Sequence, residues 1–336
     1  MLNKKEIIFS KKRPMIIAEI GNNHEGSIKI AKKLIEEASK AGVDAVKFQT
    51  FKTEDYVNDK EKKRFKRLKK FELSEKEFLL LSKFAKKKNL IFISTPFDIG
   101  SAIFLRNIVD CFKISSGDNN FYQLIEKVLS FKKPTIISCG LLNSSGVNKL
   151  LKIIKKFKFP LKKLFLLHCV SCYPVANYEA NLRSIEYLKD KFKINIGYSD
   201  HTLGIEAAII ATAYGAKIIE KHFTLRKNFS SFRDHQISAD PAEMLNLVKS
   251  VKKSSKMIGS YNKEIATNEK KNLSSMRRSI YLKTNIKKGE IITKDKIKLV
   301  RPFQILLTSE MNKVLNKKAK KNLDKNQPIS LKHIIN

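Results

Sequence analysis

Residues 15–50 read MIIAEIGNNHEGSIKIAKKLIEEASKAGVDAVKFQT, and this stretch sets the pattern on which the fold depends. It begins with an apolar run at 15–20 and ends with a second, similar run at 45–50. Between the two runs, apolar side chains recur with helical spacing, after a candidate cap at Ser27 and before a helix stop at Gly42. The stretch therefore predicts a strand, a helix and a second strand.

The same alternation continues along the chain, with helical periodicity between successive apolar runs and a last helix predicted from 241 to about 257. The eight short, β-rich runs are 15–20, 45–50, 91–95, 111–115, 135–139, 164–170, 194–198 and 217–223. Strands that are apolar nearly throughout and alternate with helices predict a parallel sheet buried on both faces. Eight such units in about 245 residues predict an α/β fold of the (β/α)8 TIM barrel type.

A doubly wound open sheet is the alternative arrangement. Its first strand-to-helix turn should carry the GxGxxG phosphate fingerprint, whereas the turn here reads GNNHEG (21–26), which favours the barrel. The long segment between the second and third strands, 51–73, contains EKKRFKRLKK. This charge run predicts a solvated helix or a mobile loop rather than a binding surface.

The alternation ends near residue 257, so residues 1–257 are predicted to form the barrel domain. Residues 258–276 are polar, without clear periodicity, and are interpreted as a linker. Residues 277–336 contain short alternating runs and predict a small, mostly β domain. Because a module of about 60 residues is marginally stable alone, we expect it to pack on its own barrel or on a partner subunit.

The composition raises a second hypothesis, that the chain binds nucleic acid. Its 336 residues include 68 Lys and Arg and carry a formal net charge of +36. However, only 10 of these basic residues are Arg, and Lys is spread along the whole chain, so a composition bias is favoured and no nucleic-acid partner is expected. The chain contains no long uncharged apolar run and no signal-peptide pattern, which predicts a soluble, cytoplasmic protein without a membrane partner.

Cys169 and Cys172 share a CxxC spacing, which raises the question of a redox or metal motif. A redox motif needs its first cysteine at a helix N-terminus, whereas Cys169 ends the strand-like run LFLLHCV. The chain's four cysteines, which also include Cys111 and Cys139, are therefore predicted to be incidental buried thiols.

In a barrel of this kind, the chemistry is carried by side chains at the carboxyl ends of the strands. The ionisable and hydroxylic residues at these ends are Glu19, Lys47, Thr95, Lys113, Ser116, His168, Tyr173, Ser199, His201, Glu220 and His222. For any one of them, a structural polar residue is an equally good interpretation. Because an unpaired buried ammonium is costly, Lys113 within an apolar strand is harder to explain structurally, and several such groups together indicate an anionic ligand.

Two histidines, His201 and His222, follow or end adjacent strands, and two imidazoles with no cysteine nearby suit Mn²⁺ or a similar divalent ion. Lys47 and Lys113, together with serine hydroxyls, suit a ligand that carries both a phosphate and a carboxylate, as phosphoenolpyruvate does. A Schiff base is the alternative use of such a lysine. The histidine pair favours metal-assisted carbonyl chemistry.

The chain as a whole resembles the N-acetylneuraminate (sialic acid) synthase family from about residue 13 onward. The motifs that carry this resemblance, in order, are AEIGNNHEGS (18–27), VKFQT (46–50), FISTPFD (92–98), KISSGD (113–118), HCVSCYP (168–174), GYSDHTLG (197–204), EKHFT (220–224), RRSIYLKTNIKKGEIIT (277–293) and VRP (300–302). The resemblance implies a TIM barrel, a C-terminal antifreeze-like (SAF) domain, and a domain-swapped homodimer in which each small domain caps the partner's barrel.

The resemblance also implies a reaction, the condensation of phosphoenolpyruvate with N-acetylmannosamine and water to give N-acetylneuraminate and phosphate. By position, His201 and His222 match ligands of a divalent metal, Mn²⁺ or Mg²⁺. The positions that match catalytic residues are Glu19, Lys47, Lys113, Glu220 and Asp234. Those that match substrate-binding residues are Thr95, Ser116, Tyr173, Ser199 and Arg301, with Arg301 reaching across the dimer to the acceptor's N-acetyl group.

Several alternatives stay open at the level of sequence. The chain departs from the family motifs at Asp118, Cys139 and Ser171, where Glu, Thr and Asn are common. Legionaminic or pseudaminic acid synthases use the same condensation with a di-N-acetylated dideoxy hexose. Related 3-deoxy-sugar acid synthases use an aldose phosphate and need a second basic cluster for it, which the strand ends do not contain.

Overall fold

Eight parallel strands close into a barrel in the computed structural model, which describes residues 13–335. The strands are β1 (Met15–Gly21), β2 (Ala45–Thr50), β3 (Ile91–Pro96), β4 (Cys111–Ile114), β5 (Thr135–Ser138), β6 (Leu164–Cys169), β7 (Asn195–Asp200) and β8 (Ile218–His222). Each strand pairs in parallel with the next along the chain, and β8 pairs with β1 to complete the circle. The predicted (β/α)8 barrel is confirmed.

The helices of this unit are α1 (Ile28–Ala41), α2 (Thr53–Tyr56), α3 (Lys62–Phe71), α4 (Glu75–Lys87), α5 (Ile99–Leu105), α6 (Tyr122–Ser130), α7 (Ser144–Lys156), α8 (Ser184–Phe192), α9 (Glu206–Ala213), α10 (Arg233–Ile237) and α11 (Pro241–Ile258). The predicted ends of α1 are confirmed: the Ser27 side chain accepts from the Ile30 N–H, and Gly42 ends the helix at φ 81°. A capping box between Asp240 and Glu243, with Pro241 in the first turn, begins α11.

The alternation of side chains along each strand positions the site. The apolar residues that fill the barrel interior form one buried cluster, which includes Ile17, Ala45, Cys111 and Ile218. The residues two positions later on the same four strands are Glu19, Lys47, Lys113 and Glu220. Because residues two apart share a face of the strand, these four charged groups point into the barrel above an apolar plug.

The register of the strands brings the charged positions side by side. Glu19 is opposite Lys47 in the β1–β2 pair and opposite His222 in the β1–β8 pair. Ser199 is opposite Glu220 in the β7–β8 pair. The remaining core lies between the outer face of the barrel and the surrounding helices.

A second compact unit begins at Ser260, and the first ends at Gly259. The strands of the second unit form two antiparallel pairs, β9 (Ser279–Leu282) with β10 (Ile297–Val300) and β11 (Lys318–Ala319) with β12 (Ile334–Ile335). These pairs enclose a separate apolar core that includes Ile280, Leu282 and Ile292. The prediction of a small, mostly β domain is confirmed.

The polar segment before β9, interpreted from sequence as a linker, contains some regular structure. Two short helices, α12 (Thr267–Lys270) and α13 (Leu273–Met276), lie within it, and neither has a buried residue. Single helical turns bury no stripe of apolar residues, so no hydrophobic periodicity signals them. None of the helices that the structure describes combines the length and the apolar character needed to cross a bilayer.

Candidate active site

A cavity of about 650 Å³ lies at the carboxyl ends of the barrel strands. The predicted site residues that line it are Glu19, Lys47, Thr95, Lys113, Ser116, Tyr173, Ser199, His201, Glu220, His222 and Asp234. His168 does not line it, because its ring faces the carbonyl of Ala180, with Nε2 at 2.9 Å. Arg301 belongs to the second unit, where its Nε donates to the Met276 carbonyl at 2.6 Å.

The floor of the cavity is formed by two lysines and two glutamates, Glu19, Lys47, Lys113 and Glu220, which we call the floor cluster. Each of them is at most 4% exposed. Lys47 Nζ lies 2.9 Å from Glu19 Oε2 and 3.6 Å from Glu220 Oε2, and Lys113 Nζ lies 3.1 Å from Glu220 Oε1. The charges are balanced, which makes their burial tolerable.

The two carboxyl groups of the floor cluster are not equivalent. Burial disfavours the ionised form of Glu220, but Lys113 and Lys47 outweigh burial, and Ser199 Oγ donates to it at 2.8 Å, so its pKa falls to about 2. Burial raises the pKa of Glu19, with Lys47 acting in the opposite direction. Glu220 is therefore the permanent anion, and Glu19 is the carboxyl better suited to exchange a proton.

The two ammonium groups also differ. Burial acts against the charge of Lys47, but Glu19 and Glu220 outweigh it and raise its pKa. Burial lowers the pKa of Lys113, although Glu220 opposes that effect. Lys113 is thus the lysine that gains most from an additional anion in the cavity, because such an anion would offset the cost of its burial.

Two serine hydroxyls next to the floor cluster lack hydrogen-bond partners in the part of the chain that the structure describes. Ser138 Oγ and Ser171 Oγ are buried in the cavity wall without a hydrogen-bond partner among residues 13–335. A Cβ at Gly140 would collide with the hydroxyls of Ser116 and Ser171, so glycine keeps this space open. Because buried polar groups are normally paired, these hydroxyls indicate a polar ligand. Neither Ser138 nor Ser171 is among the predicted site residues, although both lie at strand ends or in the quoted motifs.

The two histidines at the strand ends lie close together, with ring centroids 5.4 Å apart. His201 Nδ1 donates to the Val170 carbonyl at 2.9 Å, so the neutral ring holds its lone pair on Nε2. Burial acts against the charged form of His201, but Cys169 and the Val170 carbonyl outweigh it and raise its pKa. His222 Nδ1 is buried and has no hydrogen-bond partner within the described chain. Burial holds the pKa of His222 well below its usual value, and the ring is therefore neutral, as a metal ligand must be.

These two imidazoles suit a divalent cation, because nitrogen ligands of this kind bind Mn²⁺ and similar ions. Within residues 13–335, no group of three or more His, Cys, Asp or Glu side chains is arranged to hold a metal ion. Water or substrate oxygens would then complete the coordination, as in metal sites that keep open positions for catalysis.

Two predictions about cysteine are wrong. Cys169 Sγ lies 3.8 Å from His201 Nδ1, so a thiol does stand beside the histidine pair. The reason is the strand register, which sets Cys169 opposite Ser199, two residues before His201. The second wrong prediction is that all four thiols are buried. Cys111, Cys139 and Cys169 are buried, but Cys172 is exposed because it lies in the loop beyond β6.

The charge run between β2 and β3 does form a solvated helix, α3, but it also contributes to the cavity, contrary to prediction. Leu68 and Phe71 anchor the helix by burial, and the Phe71 ring meets Phe232 edge-on at 5.2 Å. Arg64 and Arg67, on the same helix, line the cavity. Sequence reasoning missed these arginines because it searched for basic groups only at strand ends.

Asp234 enters the cavity from α10, beyond β8, and burial raises its pKa. The neighbouring Arg233 lies with its Nε 3.8 Å from Asp234 Oδ1 and its guanidinium carbon 4.8 Å from the centre of the Tyr173 ring. The same tyrosine ring packs against His201, with ring centroids 4.2 Å apart. This chain of contacts connects α10 to the histidine pair.

A closed parallel barrel with a buried lysine–glutamate cluster at its strand ends is the construction of a barrel enzyme, not of a nucleic-acid-binding module. Residues 34–263 match the NeuB family, and residues 277–335 match the SAF domain. The chain belongs to the NeuB family and is an enzyme. The family resemblance read from the motifs is confirmed.

Relatives of the chain carry several names within this family. It is 37% identical to N,N'-diacetyllegionaminic acid synthase of Campylobacter jejuni, over 95% of this chain and 99% of that one. It is 34% identical to human N-acetylneuraminate-9-phosphate synthase, over 83% of this chain and 81% of that one. Among solved structures, sialic acid synthetase of Leptospira borgpetersenii superposes with a TM-score of 0.74 at 38% identity, over 78% of this chain and 90% of that one.

Proposed function

We propose that the chain condenses phosphoenolpyruvate with an N-acetylated hexose and water to form a nonulosonic acid and phosphate. The observation that carries this proposal is the floor cluster beside unpartnered hydroxyls. Lys47 and Lys113 supply positive charge, and Ser138 and Ser171 supply free hydroxyls in the same cavity. A small donor with both a carboxylate and a phosphate would satisfy these groups together.

The reaction forms one carbon–carbon bond and one carbon–oxygen bond to the oxygen of water, and it breaks the carbon–oxygen bond to phosphate. C3 of phosphoenolpyruvate attacks the aldehyde carbon of the open-chain hexose, whose oxygen takes up a proton, and C2 of the donor is left electron-poor. Water then adds to C2 and loses one proton, which leaves C2 with a hydroxyl and the phosphate ester. The C2–O bond to phosphate breaks, phosphate leaves with the bonding electrons, and the hydroxyl loses its proton to give the ketone. The ionised Glu220 is suited to stabilise the electron-poor C2. Glu19, whose pKa burial raises, is suited to accept the proton of the water.

A divalent cation, Mn²⁺ or Mg²⁺, held by His201 and His222 would polarise the aldehyde of the acceptor. The family is generally metal-dependent. The chain's own contribution is to fix the ligands: the Val170 carbonyl sets the tautomer of His201, and the Tyr173 ring packs against it. Thr95 Oγ1 accepts a hydrogen bond from Lys47 Nζ at 3.4 Å and so helps to orient the ammonium group toward phosphoenolpyruvate.

In this proposal the second unit acts within a homodimer. By the family resemblance, each SAF domain caps the partner's barrel, and Arg301 contacts the N-acetyl group of the acceptor. Arg301 is exposed in the described chain, so its guanidinium is accessible to such a contact. The cytoplasmic location stays a prediction.

The proposal is tested by mixing the purified chain with phosphoenolpyruvate, Mn²⁺ and an acceptor, and measuring released phosphate and the mass of the sugar product. We expect phosphate and product in equal amounts, and only when an acceptor is present. N-acetylmannosamine and the two di-N-acetylated dideoxy hexoses of legionaminic and pseudaminic acid synthesis form the acceptor panel. Phosphate release that does not depend on any acceptor would refute the condensation.

The acceptor itself is left open by the relatives, whose names cover a diacetylated product and a phosphorylated one. A di-N-acetylated dideoxy hexose is the second candidate because the legionaminic acid synthase matches along 95% of this chain. Comparing kcat/KM across the panel separates these candidates, since the preferred acceptor should exceed the others by about tenfold or more.

A further inference from the structure

The turn that joins β1 to α1, GNNHEG at residues 21–26, has no role in the reaction steps proposed for the floor cluster and the histidine pair. Glu25 stands in this turn at φ 47°, in the left-handed region that side chains other than glycine adopt at a cost. Glu25 does not line the cavity, so a direct contact with substrate does not explain the cost. Such a conformation persists only where surrounding contacts hold it, which directs attention to the contacts of the Glu25 side chain.

The Glu25 carboxylate contacts the segment that follows β8, the last strand of the barrel. Its Oε1 accepts hydrogen bonds from Ser230 Oγ and from His235 Nε2, the latter at 3.2 Å. At the other nitrogen of the ring, His235 Nδ1 lies 2.6 Å from Thr224 Oγ1. Burial lowers the pKa of His235, against the effect of Glu25, so the ring is neutral and Nδ1 accepts from the Thr224 hydroxyl. We call Glu25, Thr224 and His235 the clamp.

The clamp lies behind the wall of the cavity. Its three residues do not line the cavity, and Thr224 and His235 are each 0% exposed. The residue before His235 is Asp234, which does line the cavity and has a side chain that is 14% exposed. Because successive side chains on a helix point about 100° apart, fixing the His235 ring also fixes the direction of the Asp234 carboxylate.

Helix α10, which carries Asp234, is too short to hold itself in place. It has five residues, and residues 225–232 before it form neither helix nor strand. A helix of little more than one turn is unstable alone, so side-chain contacts must set its position. The His235 ring supplies such contacts, since it packs against Phe229 with centroids 5.0 Å apart and meets the cavity-lining Phe232 edge-on at 6.0 Å.

A second contact from the same turn holds the other end of α10. Asn23 Nδ2 donates to Ser238 Oγ at 3.0 Å, and Ser238 Oγ donates to the Asp234 carbonyl at 2.6 Å. Asn23 Nδ2 also donates to the Phe223 carbonyl at 2.9 Å. Because these contacts do not involve Glu25, a change at Glu25 should loosen α10 without detaching it.

We propose that Glu25 and His235 are positioning residues that act through Asp234, because the clamp sets α10 so that the Asp234 carboxylate faces the acceptor sugar. The inference rests on the proposed function. Asp234 connects through Arg233 and Tyr173 to the histidine pair, which is the side of the cavity where the aldehyde would bind. A carboxylate there accepts hydrogen bonds from sugar hydroxyls, whereas it repels the two anionic groups of phosphoenolpyruvate.

The kinetic test measures the KM for each substrate in the full-length enzyme with Mn²⁺, using the acceptor of the panel that has the highest kcat/KM. In Glu25→Ala, the KM for the acceptor should rise about tenfold, because hydrogen bonds to a carboxylate are lost and Asp234 is less often in place. The KM for phosphoenolpyruvate should stay within about twofold, since the donor's contacts are untouched. Glu25→Gln keeps an oxygen that can accept from Ser230 and His235, so it should return the acceptor KM to within about threefold of the original value.

Two further variants serve as controls for this test. Glu186→Ala, an exposed change on α8, is the matched control and should leave both KM values unchanged. Glu25→Asn suits the left-handed backbone but is one methylene too short for the same contacts, so it should behave like Glu25→Ala. An unchanged acceptor KM in an active Glu25→Ala enzyme would overturn the inference. An equal rise in the KM for phosphoenolpyruvate would overturn it too, because the clamp would then not act through the acceptor side.

Amide hydrogen exchange separates this inference from the proposed function, because it needs no turnover. In the substrate-free protein, residues 232–238 should exchange at least about tenfold faster in Glu25→Ala than in the unaltered chain, while α8 exchanges at its original rate. Ser230→Ala removes one of the two donors to Glu25 and should give a smaller increase, which keeps the test open if Glu25→Ala does not fold. Unchanged exchange overturns the inference whether or not the enzyme turns over. Faster exchange in a chain that does not condense its substrates would refute the proposed function and leave the clamp in place.

Discussion

Two clusters of buried lysines and carboxylates in the described barrel differ in which side of the sheet they face. The floor cluster points into the cavity. The second cluster joins Lys221 to Asp200, with Lys221 Nζ 2.8 Å from Asp200 Oδ2 and 2.5 Å from the Thr202 carbonyl. Lys221 is 1% exposed, although it is the immediate neighbour of Glu220 and His222 on β8.

The two clusters differ in how completely the chain satisfies them. Asp200 Oδ1 accepts from both the N–H and the hydroxyl of Thr202, so the Lys221–Asp200 pair is closed by its own surroundings. The cavity side, in contrast, leaves Ser138, Ser171 and His222 with atoms that have no partner in the described chain. Buried charge by itself is therefore no sign of a site, whereas buried charge beside unsatisfied polar atoms is one.

Removal of the divalent metal should have the strongest effect on activity, because the proposed metal ligands lie on the cavity side. Chelation should abolish phosphate release, and added Mn²⁺ should restore it. His222→Ala should stay inactive after Mn²⁺ is added, because one of the two imidazole ligands is gone. Phosphate release by this variant at the rate of the unaltered enzyme would contradict the metal assignment.

The next effect concerns the floor cluster. Lys113→Met should lower kcat/KM by roughly 10²–10³-fold, because one preorganised charge at the reacting centre is lost. Folding should persist, since Glu220 still has Lys47 and the Ser199 hydroxyl as partners. Phosphate release and thermal unfolding, measured on the same sample, check both statements. A lower melting temperature with an unchanged specific activity would mean that the floor cluster is structural and not catalytic.

The Lys221–Asp200 pair should respond in the opposite way, with a loss of stability and little loss of activity. Lys221→Met should lower the free energy of unfolding by about 3–5 kcal/mol, because Asp200 is left buried without its counter-ion. The specific activity of the protein that remains folded should stay within a few-fold of the original. Lys217→Met, an exposed change just before the same strand, is the control and should alter stability by about 0.5 kcal/mol or less. Similar urea midpoints for the two variants would remove the distinction between the clusters.

The weakest effect concerns the floor cluster, and it is a change in how stability depends on pH in acid. The pKa of Glu220 falls from 4.5 to about 2 in the folded state, so its ionised form adds stability above pH 4.5, and this contribution is lost as the pH falls from 4.5 toward 2. Glu220→Gln should therefore flatten the fall of the urea midpoint over this range. The raised pKa of Glu19 gives the opposite sign: its contribution is present below pH 4.5 and is lost as the pH rises through the folded pKa. Parallel pH curves for Glu220→Gln and the unaltered chain would contradict the assignment of Glu220 as the permanent anion.

Residues that belong to regular elements could be placed at the cavity from the sequence, while their roles in the reaction stay predictions. Lys113 could be predicted to face the cavity because strand alternation and the end of a strand fix its direction. Arg64 and Arg67 could not, because α3 reaches the cavity only through tertiary contacts such as that of Phe71 with Phe232. The roles assigned to Arg301 and to the homodimer stay predictions, as do the metal and the acceptor sugar.

The sequence was enough to predict the barrel and the family, because nearly continuous apolar runs, helical spacing between them and ordered motifs are local properties of the chain. It also determined which strand ends carry ionisable groups. Which of these groups are paired and which are left open became clear from the folded chain. That difference separates Lys221 from Lys113, and it depends on distances between atoms of different strands and loops, which a linear pattern does not contain.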